Sequence, residues 1–252
     1  MLEDLESLPS SLELPDSDDT PVDNEIRNLI PNLLKAILGF IWGDRTDWFF
    51  GVDMGIYDRQ GQRTRTPIIP DGFLSLGVER LTGERGRLSY VLAEENNIAP
   101  ILVLELVSQT YGGEYDRKMQ EYARLGVLYY VIYNSHHWQR DRHQPLEVYR
   151  LVNGVYELRS GSPVFMPEIN LGIGVERGVY ERWERDWLYW YDRARNRYET
   201  PEERVQRERL QAERERDKAE IAESLLQQER QQREVLEIRL QQYLDRFGNL
   251  PE

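Results

Sequence analysis

Three ionisable residues stand out in this chain because of the sequence that surrounds them. Glu105 lies inside the apolar run Ile101–Val107, Asp71 follows Pro70, and Lys118 lies in the next predicted helix. An unpaired buried charge costs several kcal/mol, or the group becomes neutral instead. We therefore expect Glu105 to have a partner, either a metal ion or a cation, and Asp71 and Lys118 are the candidates.

The chemistry that fits these residue types is metal-assisted hydrolysis. Mg²⁺ prefers oxygen ligands and is commonly held by one or two carboxylates together with several waters. Asp71 and Glu105 would provide such carboxylates. A water activated by the cation could attack a phosphodiester, while the Lys118 ammonium orients it or offsets charge in the transition state.

Simpler explanations exist for each of the three residues. Glu114 precedes Lys118 by one helical turn, which is the favourable order for a surface ion pair. Asp71 after Pro70 suits a turn, and Glu105 could pair with a core arginine. Spacing alone leaves these alternatives open.

The elements that would position the three residues follow from hydrophobic periodicity. Pro100–Ser108 is apolar on both faces, as expected for a central strand, and in that strand Glu105 shares a face with Val103. A helix over 113–125 would place Lys118 on its apolar arc, beside Tyr122. Lys118 is one of only three lysines among 32 basic residues, so a compact point charge at this position suggests a specific role.

The remaining pattern predicts an α/β fold with a mixed sheet. The strand–helix–strand unit from residue 100 to 133 favours local parallel pairing, and Asn153-Gly154 predicts a hairpin turn. The predicted elements are a helix over 24–40 that kinks or starts at Pro31, strands over 48–57, 68–78, 127–133, 146–151 and 155–158, and a loop over 79–99.

Trp183, Trp187 and Trp190 have helical spacing, which favours packing against a core over stacking on nucleic-acid bases. His136, His137 and His143 are predicted to be exposed loop residues.

Both ends of the chain differ in composition from its middle. Residues 1–23 are rich in Asp, Glu, Ser and Pro, so we expect an acidic disordered N-terminus. Residues 200–252 begin with Thr200-Pro-Glu-Glu203, a strong helix start. They predict a long charged helix with heptad spacing, a candidate coiled coil.

The net charge of −13 argues against tight non-specific binding to DNA. The absence of cysteine and of membrane-spanning runs predicts a cytoplasmic protein.

Several short motifs together resemble a known family, the Uma-type restriction endonucleases of cyanobacterial type, in the PD-(D/E)XK nuclease superfamily. The resemblance covers residues 24–200 approximately. It rests on Pro70-Asp71, Leu104–Ser108, Asp116–Lys118, Tyr122, Gly126-Val127 and Tyr130. The chain departs from the usual family pattern at Gln109, Tyr129-Tyr130 and Tyr133-Asn134, and none of these positions is a proposed ligand.

This resemblance implies that residues 24–199 form a restriction-endonuclease-like domain, a mixed sheet flanked by helices, which the long C-terminal helix predicted over 200–252 follows. It implies that Asp71 and Glu105 bind Mg²⁺, with Mn²⁺ as a substitute, and that Lys118 is the catalytic lysine, moved from the usual position two residues after the glutamate into the helix. Glu25 is a candidate accessory acid. The expected function is Mg²⁺-dependent hydrolysis of DNA, and a homodimer through the C-terminal helix is a candidate assembly. The alternative is an inactive nuclease-fold module that oligomerises through that helix.

Overall fold

The structure is a computed structural model that describes residues 25–58, 67–84, 86–109 and 112–248. The predicted disordered segment 1–23 lies outside these residues. The chain divides into two compact units between Thr200 and Pro201. The helices are α1 Glu25–Ile41, α2 Arg117–Leu125, α3 Trp138–Asp141 and α4 Pro201–Phe247. The strands are β1 Trp48–Val52, β2 Ile56–Tyr57, β3 Gly72–Leu76, β4 Tyr90–Val91, β5 Leu102–Leu106, β6 Tyr129–Tyr133, β7 Leu146–Val152, β8 Val155–Arg159, β9 Val164–Met166, β10 Leu171–Tyr180 and β11 Trp183–Tyr191.

The centre of the first unit is a six-stranded sheet in the order β1-β3-β5-β6-β7-β8. Strands β5 and β6 are parallel and α2 connects them, whereas the other neighbours in this sheet are antiparallel. The predicted α/β class, the mixed sheet, the flanking helices and the long C-terminal helix are therefore confirmed. The hairpin turn at Asn153-Gly154 is also present, with both residues at positive φ.

Strand β5 is covered on both faces, and all five of its residues are buried. Its even-numbered side chains, such as Leu104, pack with the apolar face of α1, which includes Leu34. Its odd-numbered side chain Val103 packs on the opposite face with Tyr122 of α2. Because side chains alternate along a strand, Glu105 points to the α2 face.

A second sheet of β9, β10 and β11 completes the core on the α1 side. The Trp190 indole N–H donates to the Leu34 carbonyl at 2.9 Å, which joins β11 to α1. The helical spacing of the tryptophans was misleading, since Trp183, Trp187 and Trp190 all lie on β11. Trp187 and Trp190 are buried in the core, as predicted, and Trp183 is partly exposed.

The structure differs from the predicted elements at three further places. The predicted strand 48–57 breaks into β1 and β2 at Asp53, which has a φ of 46°. Helix α1 continues through Pro31 and does not begin there. The predicted loop 79–99 contains β4, which pairs in parallel with β2.

The close approach of β1 to β3 predicts a large stability effect at Gly51. A methyl group on Gly51 would lie 2.2 Å from Phe73 Cε1, and Phe73 is fully buried. Gly51→Ala is therefore expected to lower the free energy of unfolding by about 1–3 kcal/mol, because the ring has no room to move. Chemical denaturation with a circular-dichroism readout measures the change.

Gly39→Ala is the matched control for this prediction. Gly39 lies in α1 with no neighbouring atom within 4 Å of the added methyl group. Alanine should stabilise the helix at this position by about 0.5–1 kcal/mol. Equal effects of the two substitutions would contradict the packing argument.

The second unit, as far as it is described, is α4. It has 47 residues and none of them is buried. Ion pairs one turn apart, such as Arg204–Glu208 and Arg233–Glu237, lie on its surface. No helix in the described parts of the chain is long and apolar enough to cross a membrane.

Candidate active site at the end of strand β5

The buried carboxylate of Glu105 has two partners, both on α2. Glu105 is completely inaccessible to solvent. The Lys118 ammonium lies with Nζ 2.8 Å from Glu105 Oε2. The Tyr122 hydroxyl donates to the other oxygen, Oε1, at 2.5 Å. Both carboxylate oxygens are thus satisfied, as a buried charge requires.

Helix α2 places these two partners on the same side. Lys118 and Tyr122 are separated by four residues, so they occupy neighbouring positions on one helix face. Asp116 is the N-cap and accepts from the Arg117 amide, while Gly126 ends the helix with a φ of 80°. The helix begins at Arg117 and not at 113, which puts Lys118 in its first turn. The sheet-facing direction predicted for Lys118 is the one observed.

The Asp71 carboxylate lies beside Glu105 because it takes the place of a backbone carbonyl as the acceptor for an amide of β5. The ladder between β3 and β5 ends at the pair Gly72–Leu104. Beyond it, the Leu106 amide donates to Asp71 Oδ2 at 2.6 Å. Since this amide directly follows Glu105, the hydrogen bond holds the two carboxyl groups next to each other.

Arg27 completes the cluster and was not predicted from the sequence. Its Nε donates to Asp71 Oδ1 at 3.0 Å, and both side chains are buried. A signal did exist, because Arg27 shares the apolar face of α1 with Ile30 and Leu34. Glu25, the candidate accessory acid, is exposed at the first residue of α1. Within the described residues, no hydrogen bond or ion pair joins it to Asp71 or Glu105.

The cluster therefore contains two acids and two bases in a buried setting. Burial and the neighbouring Glu105 raise the pKa of Asp71 to about 7, against the opposing effects of Arg27, the Leu106 amide and Lys118. Burial alone would lower the pKa of Lys118, but the attraction of Glu105 outweighs it and the pKa is raised. Burial raises the pKa of Tyr122 well above its usual value, so the hydroxyl stays protonated as a donor.

The carboxylates suit a hard divalent cation. The described residues include no group of three or more His, Cys, Asp or Glu side chains that could hold a metal. A site here would therefore use two carboxylates and waters, an arrangement that Mg²⁺ accepts. Burial is the main cause of the raised pKa of Asp71, and the neighbouring Glu105 is the second. A divalent cation bound between the two carboxyl groups would favour their ionised forms.

His136 is exposed as predicted, whereas His137 and His143 are half-buried. The His143 ring stacks on Tyr115, with centroids 3.6 Å apart, and its Nδ1 lies 3.1 Å from Glu147 Oε1. Glu147 is buried and also accepts from the Tyr149 hydroxyl at 2.6 Å. Glu147 lies on β7, opposite Ile132 of β6, and Ile132 lies opposite Glu105 of β5. Glu147 is therefore two strands away from the cluster.

A mixed sheet with one acid at the start of β3 and a glutamate–lysine pair on β5 and α2 is the arrangement implied by the resemblance to nucleases. Residues 3–169 match the family model of Uma2, described as a putative restriction endonuclease, and the chain belongs to this family. Searches of curated proteins and of solved structures found no match to the chain.

Proposed function

We propose that the protein is a Mg²⁺-dependent endonuclease that hydrolyses phosphodiester bonds of DNA. The observation that carries this proposal is the buried Glu105–Lys118 pair beside Asp71. Membership of the Uma2 family supports a nuclease, and DNA is the substrate that its description as a restriction endonuclease suggests.

In this proposal each residue of the cluster has a distinct task. Asp71 and Glu105 would hold the cation, with Mn²⁺ as a substitute for Mg²⁺. When bound, the cation supplies Lewis-acid polarisation of the phosphate and lowers the pKa of water. Lys118 keeps a positive charge next to Glu105 and stabilises negative charge that develops on the phosphate.

The remaining two residues orient the acids. Arg27 holds one oxygen of Asp71, and the Leu106 amide holds the other. The Tyr122 hydroxyl fixes one oxygen of Glu105, which restricts rotation of that carboxylate. Acids held in this way need little rearrangement before reaction, and such preorganisation is a main source of catalysis.

Glu105→Gln tests the assignment with the least change in shape. Wild-type protein is expected to nick supercoiled DNA with Mg²⁺ and to lose this activity with a chelator. Glu105→Gln should reduce nicking at least about 100-fold, since it removes the charge that binds the cation and pairs with Lys118. Gel electrophoresis of plasmid DNA over time measures the rate.

Glu147→Gln is the matched control, because Glu147 is also a buried glutamate of the same sheet but lies outside the cluster. It should keep the wild-type rate. Equal loss in both variants would indicate damage to the fold. Absence of nicking by the wild type on supercoiled, linear and single-stranded DNA, with no Mg²⁺ binding by calorimetry, would reject the proposed function.

A further inference from the structure

The second half of α4 carries an exposed apolar stripe that a single copy of the chain leaves uncovered. At heptad spacing, its core positions are Ala219, Ala222, Leu226, Glu229, Arg233, Leu236, Leu240, Tyr243 and Phe247. None of these residues is buried, and Leu236, Leu240, Tyr243 and Phe247 are each at least half exposed. Such a stripe is what two helices of a coiled coil bury against each other.

The two charged residues inside the stripe decide how a second helix fits. In a parallel pair each core position faces itself, so Glu229 would meet Glu229 of the second copy and Arg233 would meet Arg233. Like charges inside a helix interface are strongly unfavourable. In an antiparallel pair centred on Gln231, Glu229 faces Arg233 of the second copy twice, and both charges are matched.

The same antiparallel register also matches side-chain sizes. It places Leu226 opposite Leu236 of the second copy, which forms an apolar layer on each side of the two ion pairs. The next layer outward sets Ala222 against Leu240. The one beyond sets Ala219 against Tyr243, so that in each case a small residue meets a large one. Alternation of small and large residues across facing positions lets layers interdigitate.

We infer that two copies of this chain associate through α4 as an antiparallel coiled coil centred on Gln231. The matched layers run from residue 219 to residue 243, which at 1.5 Å per residue is roughly 36 Å of helix. Arg233 now pairs with Glu237 on its own helix at 3.2 Å, where both side chains are highly exposed. An exposed pair of this kind contributes little, so exchanging it for Glu229 of the second copy costs little. The inference does not depend on nuclease activity.

Charge reversal tests the pairing. Wild-type full-length protein should sediment as a dimer in analytical ultracentrifugation. Arg233→Glu puts two acids together twice per dimer, and Glu229→Arg puts two bases together twice, so each should weaken dimerisation at least about 100-fold. An equimolar mixture of the two variants should form heterodimers again. Glu234→Arg, on the outer face of α4, is the control and should remain dimeric.

Cysteine pairs test the direction, and the chain offers a clean background because it has no cysteine. The double variant Leu226→Cys/Leu236→Cys should form a disulfide-linked dimer under mild oxidation, seen by non-reducing electrophoresis. Leu226→Cys alone should not, since residues 226 of the two copies would be about 15 Å apart along the axis. Cross-linking of Leu226→Cys alone would indicate a parallel pair and overturn the inference. A monomeric wild type at all concentrations tested would overturn it as well.

Discussion

Replacing Lys118 with methionine is expected to lower the free energy of unfolding by about 3–5 kcal/mol, because it leaves Glu105 buried without its cation. Glu105 is fully inaccessible, and its only other partner in the described cluster is the Tyr122 hydroxyl. Methionine has nearly the length and volume of lysine, so the loss measures charge and not packing. Under the proposed function, nicking of DNA by this variant should also disappear. Urea denaturation and the plasmid assay measure the two effects.

The double variant Glu105→Gln/Lys118→Met separates stability from chemistry. It removes both charges together, and replacing a buried ion pair by neutral groups of similar shape is often close to neutral. Most of the lost stability should therefore return, whereas nicking should not. Lys35→Met is the control for removing a lysine, since burial and Arg80 lower the pKa of Lys35 and, in the described parts of the chain, no buried acid pairs with it. A loss as large in Lys35→Met would contradict the argument.

If Asp71 is a metal ligand, as proposed, binding of Mg²⁺ is expected to weaken about tenfold for each pH unit below about 7, because the cation then competes with the proton on Asp71. Burial and Glu105 raise the pKa of this carboxyl group to about 7, well above its usual value. An acid with a raised pKa is protonated below that pH and ionised above it. The affinity should thus rise with pH up to about 7 and then level off. Isothermal titration calorimetry from pH 5 to pH 8.5 measures the profile.

Arg27 influences the pH at which the Mg²⁺ affinity changes. Its charge lowers the pKa of Asp71, so Arg27→Met should move the midpoint to higher pH. Arg45→Met is the control, since Arg45 pairs with Asp47 in an exposed ion pair. An affinity that does not change between pH 5 and pH 8, in a protein that binds Mg²⁺, would show that Asp71 is not a ligand.

Without metal, the raised pKa of Asp71 makes the stability of the fold decrease as the pH rises, whereas the expected Mg²⁺ affinity increases. A carboxyl group whose pKa is higher in the folded state stabilises the fold most at a pH below its unfolded pKa. That contribution is lost as the pH rises through about 7. The metal-free protein should therefore be most sensitive to denaturant near and above neutral pH, where a bound cation would help most.

The sequence was sufficient for the elements in which local pattern and environment agree. β5 is covered on both faces, so its run of apolar residues was a reliable strand signal. Asn153-Gly154 supplies the positive φ values that a two-residue hairpin turn needs, and that turn was predicted. Glu105 and Lys118 were found because a charge in an apolar pattern is visible without knowing the fold.

Elements whose geometry contradicts local preference were missed. The long hairpin β10–β11 turns at Glu181 and Arg182, which both have positive φ although neither is Gly, Asn or Asp. Without a turn signal, the tryptophans after it were read by their helical spacing. Arg27 was missed for another reason. Its partner Asp71 lies 44 residues away, and only the packing of α1 against the sheet brings the two together.

The two halves of the cluster also differ in when they can form as the chain folds. The Glu105–Lys118 contact closes a loop of 13 residues within one strand–helix unit, whereas the Arg27–Asp71 contact spans 44. Closing the longer loop costs about 1 kcal/mol more in chain entropy. The glutamate–lysine half should therefore be present in early intermediates that still lack the other acid. A divalent cation that requires both acids would bind only after β3 has paired with β5, which brings Asp71 to the Leu106 amide, and its binding would report that this pairing has formed.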